Sequence, residues 1–194
     1  MPYLFGIGLL ILFAVLYRYF CKTWNIFKLA EGADGKMSTP KFQWILWTIV
    51  ALFSYVVIFV VRAKLGIFDS LIVPNNLIIT MGISITTMAA AKGITVNYLN
   101  NKKITQNSAT NANTQGILAL FNDDDGLPDL SKIQMLAWTV IAIAVYLFQL
   151  NYQIKNSAAS SLSLPDIDTT LMALMGLGQA GYLGKKIVST NVST

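Results

Sequence analysis

Lys41-Phe42-Gln43-Trp44-Ile45-Leu46-Trp47-Thr48-Ile49-Val50-Ala51-Leu52-Phe53-Ser54-Tyr55-Val56-Val57-Ile58-Phe59-Val60-Val61-Arg62 holds an apolar-dominated run, Phe42 to Val61, with a base at each end. About 20 such residues cross the hydrocarbon of a bilayer as a helix. Four more runs flank it: Tyr3 to Tyr17, Leu77 to Ala91, Ile133 to Leu150 and Leu171 to Val188. Of the 194 residues, 55% are hydrophobic and only 12% are charged. Soluble chains carry about 25% charged residues. The sequence therefore predicts an all-α, polytopic helical membrane protein with five transmembrane helices.

Charge sets the expected orientation. The first run has no base before it and no small-residue cleavage site after it. It reads as an uncleaved anchor with its amino terminus outside, not as a signal peptide. On that layout Arg18, Lys22, Lys28, Lys36, Lys41, Lys92, Lys102, Lys103, Lys132, Lys185 and Lys186 lie inside, against Arg62, Lys64 and Lys155 outside. Eleven inside against three outside favours this orientation over its inverse, with the carboxyl terminus cytoplasmic in a cell (inner) membrane. The net charge of +5 does not signal nucleic acid, because the bases sit at the ends of apolar runs. Bilayer lipid is the expected partner.

The chain repeats itself. Shifted by 91 residues, Lys41, Gln43, Trp47, Thr48, Ala51 and Tyr55 fall on Lys132, Gln134, Trp138, Thr139, Ala142 and Tyr146. Asp34-Gly35 falls on Asp125-Gly126, and Pro74 on Pro165. After a three-residue insertion, Met81-Gly82 matches Met175-Gly176 and Lys92 matches Lys186. The expected organisation is an anchor over 1–28, a membrane repeat over 29–96, a flexible linker over 97–119 and a second repeat over 120–194. Each repeat holds two helices, an even number, so the copies should run parallel about a pseudo-two-fold axis along the membrane normal.

The stretch Asp125-Gly126, Ser131-Lys132-Ile133-Gln134, Trp138-Thr139 resembles a pattern in uncharacterised prokaryotic membrane proteins. In these an acidic-Gly turn leads into a Ser/Lys-x-Gln-x-x-x-Trp-Thr helix start. The resemblance covers the first helix of each repeat and its lead-in. Ser38-Thr39-Pro40-Lys41 departs from it by placing proline before the lysine. It implies a bacterial, archaeal or phage membrane protein and carries no activity with it.

Two groups of residues are candidates for function. Lys41, Gln43, Trp47, Thr48 and Lys132, Gln134, Trp138, Thr139 would lie at the cytoplasmic boundary. Gln and Trp four apart share a helix face, and the lysines can reach lipid phosphate. These residues read as a paired site for an anionic headgroup, a ligand or a soluble partner, or more plainly as helix-end anchors. The second group is a hydroxyl stripe, Thr80, Ser84 and Thr87, with Gln179 in the last helix. It could line a path or bond neighbouring helices. Small residues also recur at spacing four, as Gly82, Thr86, Ala90 and Gly176, Ala180, Gly184, and suggest close helix packing.

Much chemistry is disfavoured. Histidine is absent and Cys21 is the sole cysteine, which argues against zinc, haem and Cys–His catalysis. The acidic run Asp123-Asp124-Asp125-Gly126 fails as a calcium loop, since the two required ligand positions hold Phe121 and Lys132. Asp129 or Ser131 is instead the expected helix cap. No enzyme activity, metal or cofactor is expected. The reading is a non-enzymatic, homo-oligomeric membrane protein with a channel or pore-forming role. The alternative is a scaffold or sensor binding a soluble partner, nucleotide or anionic lipid at the cytoplasmic face.

Overall fold

The computed structural model describes residues 2–22, 25–31, 37–101, 116–122, 127–158 and 161–192. They form five long helices: α1 (Pro2–Cys21), α2 (Thr39–Ala63), α3 (Asn75–Asn101), α4 (Leu130–Asn156) and α5 (Thr169–Val192). Short 3-10 helices, Ile26–Ala30 and Gly116–Leu120, precede α2 and α4. Among the described residues there is no strand beyond two isolated bridges.

Four of these helices, α1 to α4, are long and apolar enough to cross a membrane, as a multi-pass membrane protein requires. The expected fifth span forms as a helix but lacks that apolarity among the described residues. Its glycines, Gln179 and the pair Lys185-Lys186 account for the difference. The expected linker, 97–119, includes residues that are helical at each end. The third helix continues to Asn101 and a 3-10 helix begins at Gly116, while 102–115 lie outside the described residues.

The helix α2 packs on α1, α3 and α4, and α5 packs on α3 and α4. The anchor α1 sits at the edge. Tyr3 Oη donates to Asn151 Oδ1 of α4 at 3.0 Å, and Gly6 lies against Phe53 and Val57 of α2. The start of α1 therefore meets the ends of α2 and α4. Most of its large apolar side chains, Leu4, Phe5, Ile11 and Leu12 among them, are exposed. An apolar surface of this kind suits lipid rather than water.

Among the described residues the core has three apolar clusters. Trp47, Val50, Leu77, Tyr146 and Met175 form the middle one. Ile58, Leu71, Leu150, Leu162 and Leu164 close the end where α2 and α4 finish. Ala30, Met37, Leu120 and Leu136 close the other. Leucines from the extended segments before α3 and α5 thus supply part of the core. Asn76 Nδ2 ties α3 to the second of these segments by donating to the Ile167 carbonyl at 2.9 Å.

Both lead-ins use the same local device, at positions 91 apart. Glu31 bridges to Met37, and Asn122 to Pro128. Ser38 N donates to the Ala30 carbonyl at 2.6 Å, and Asp129 N to the Phe121 carbonyl at 2.7 Å. Lys41 Nζ donates to the Glu31 carbonyl at 2.6 Å, and Lys132 Nζ to the Asn122 carbonyl at 2.5 Å. Each lysine reaches back from the first turn of its helix and satisfies a loop carbonyl that helix geometry leaves open. Asp34-Gly35 and Asp125-Gly126, where the sequence leads one to expect turns, lie outside the described residues.

Candidate functional site: a buried polar centre

Gln43 follows from the first turn of α2, where the Gln-x-x-x-Trp spacing places it one turn before Trp47 on the same face. Both are fully buried. In α3 the hydroxyls of Thr80, Ser84 and Thr87 line up at spacings of four and three, and all three are buried. Gln179 enters from mid-α5 and joins the two helices. Its Nε2 donates to Gln43 Oε1 at 2.9 Å and to Ser84 Oγ at 3.2 Å. Its Oε1 accepts a hydrogen bond from Thr87 Oγ1. Ser84 Oγ in turn donates to the Thr80 carbonyl at 3.1 Å. One side chain thus locks α2, α3 and α5 together.

The centre is not fully satisfied. Among the described residues Gln43 Nε2, Trp47 Nε1, Thr80 Oγ1 and Tyr146 Oη are buried without a hydrogen-bond partner. The Trp47 and Tyr146 rings meet edge to face with centroids 6.1 Å apart. A buried donor without a partner costs about 1–3 kcal/mol. Three of these four groups lie on α2 and α3, and the fourth faces Trp47 from α4. Amide, indole and hydroxyl groups can donate to a bound acceptor. They offer no strong nucleophile or general base.

The structure separates the two elements that the sequence pairs. Gln43 is buried, whereas its counterpart Gln134 is exposed. The reason lies in α5. The residues matching Ser84 and Thr87 there are Gly178 and Gly181, and the residue in α3 matching Gln179 is Ile85. None of the three has a side chain that could bond Gln134, so it turns outward. Trp138 is half-buried against the middle cluster, while Thr48 and Thr139 bond the Trp44 and Met135 carbonyls of their own helices at 2.9 and 2.8 Å. Lys41 and Lys132 hold their lead-ins, as described above.

Most of the small residues at spacing four do not pack closely on a neighbouring helix of this chain. Thr86, Ala90, Ala180 and Gly184 are exposed, and Gly82, Gly176 and Gly184 have no neighbour within 4 Å of an added Cβ. Gly82 and Ser84 are two residues apart, hence on nearly opposite helix faces. Only one face can point inward, and the hydrogen-bonding face does. In α5 the close approach falls instead at Gly178, where an added Cβ would sit 3.2 Å from Met135 Cα.

At the inner end, Asp129 is the cap of α4. Its Oδ1 accepts from Ser131 N at 2.9 Å, and its Oδ2 pairs with Lys185 Nζ of α5 at 3.1 Å. The sequence left the cap open between Asp129 and Ser131 and gave no sign of this link to α5. Asp129→Ala should lower unfolding stability by about 1–2 kcal/mol, whereas Asp129→Asn, which can still cap, should recover about half. A denaturant titration of the protein in mixed micelles measures both.

Among the described residues no three His, Cys, Asp or Glu side chains gather to hold a metal. In comparisons with known proteins no family model, no curated protein and no solved structure matches this chain.

Proposed function

We propose that this chain is a non-enzymatic membrane protein with a channel-type role, whose path runs inside one chain along α2, α3 and α5. The observation that carries this reading is the set of buried, unpartnered donors and hydroxyls at the polar centre, Gln43, Trp47 and Thr80. Polar groups within membrane helices are costly, and function is the default reason for them. Hydroxyls and amides can replace part of a solute's hydration. The apolar cluster of Ile58, Leu150 and Leu164 then acts as the gate at one end. The amino terminus lies outside on the strength of the charge count.

Conductance across planar bilayers containing the purified protein tests this. Currents above those of protein-free bilayers are expected, and Ser84→Leu or Thr87→Leu should abolish them while the circular dichroism stays helical. Absence of current, or current indifferent to both substitutions, refutes the proposal.

A cytoplasmic partner site is the second reading. It is favoured by Gln134, Leu127 and Leu130, which are exposed together at the start of α4.

A further inference from the structure

An apolar groove of about 670 Å³ runs between α1 and α2. Leu9, Leu12 and Leu16 form one wall, and Trp44 and Leu52 belong to the other. The helices run antiparallel here. Gly6 sits beside Phe53 and Val57, so Leu9 lies toward the Leu52 end and Leu16 toward Lys41. From Lys41 to Leu52 is eleven residues, or about 16 Å of helix. That is close to half of the ~30 Å hydrocarbon core, the depth of one leaflet.

The two ends of the groove differ. Lys41, the one charged residue among its described lining, stands at the lead-in end, and Arg18 and Lys28 belong to the helices that meet there. The Lys41 ammonium carries three donors and gives one to the Glu31 carbonyl. Trp44 Nε1 is buried without a partner among the described residues. Positive charge with donors at the mouth, above an apolar trough one leaflet deep, is complementary to a lipid with an anionic head.

We propose that this groove binds one acyl chain of an anionic phospholipid from the leaflet on the lead-in side, with its phosphate at Lys41. The site is independent of the conducting path and goes beyond it. Lys132 serves as the internal control, because it makes the same carbonyl bond in the second lead-in and is not part of this groove.

The full chain is reconstituted in nanodiscs of equal parts phosphatidylglycerol and phosphatidylcholine, released into detergent, and its retained lipid is counted by native mass spectrometry. Phosphatidylglycerol should be retained about fivefold over phosphatidylcholine, the factor one lysine gives near an anionic head. Lys41→Gln should remove that preference and Lys132→Gln should keep it. Leu12→Trp, which fills the trough from an exposed position, should lower retention of both lipids. Equal retention of the two lipids by the wild type, or Lys41→Gln and Lys132→Gln behaving alike, overturns the proposal. If Lys41→Gln does not fold, unchanged retention in Leu12→Trp overturns it instead.

Discussion

Gln179→Leu lowers the stability of the bundle by about 2–4 kcal/mol, while Gln134→Leu changes it by less than about 0.5 kcal/mol. The first substitution removes the three interhelical bonds to Gln43, Ser84 and Thr87. Such bonds average about 0.6 kcal/mol in a membrane, which gives roughly 2 kcal/mol for the set. Leucine has a similar volume, so no cavity term is added. It does strand Gln43 Oε1 and the Thr87 hydroxyl in a buried site, which accounts for the upper part of the range. Gln134 is exposed, and losing it strands nothing buried. Unfolding of both variants by sodium dodecyl sulfate in mixed micelles reads the difference. Equal losses would mean that the two glutamines are equivalent, as their places in the repeated motif suggest.

Gly178→Leu is the second large effect, a net loss of about 2 kcal/mol or more. The new Cβ meets Met135 at its Cα, 3.2 Å away, and a neighbouring helix backbone cannot rotate aside. Overpacking of this kind costs about 1–3 kcal/mol before the rest of the side chain is counted. Removing a helical glycine returns about 1 kcal/mol of propensity, which the clash exceeds. At Gly176 and Gly184 the same substitution meets nothing within 4 Å, so the propensity gain should dominate. Thermal denaturation of the three variants should therefore move in opposite directions, down for Gly178 and level or up for the others. A uniform fall would show that all three glycines lie in packed seams.

The polar centre has a consequence for any conducting role. The stripe Thr80, Ser84, Thr87 is buried inside one chain, where Ser84 and Thr87 bond Gln179 of α5. The outward small residues and the inward polar residues of α3 divide the helix between them.

Composition and run length alone were sufficient for the helical membrane architecture. A run such as Phe42 to Val61 can satisfy its backbone in lipid only as a helix, whatever surrounds it. The cap of α4 was legible for a similar reason. Asp129 caps α4 through a bond to Ser131 two residues away, a contact set by local spacing. What lay beyond the sequence was the side of each helix that turns inward. Gln43 and Gln134 share a motif, and a motif carries no information about which residues a neighbouring helix presents. Gln179 on α5, with Ser84 and Thr87 on α3, buries the first glutamine, and Gly178 and Gly181 leave the second without polar neighbours. Partners 136 and 95 residues from Gln179 meet only once the bundle has closed, and in lipid it is their hydrogen bonds that select the buried face.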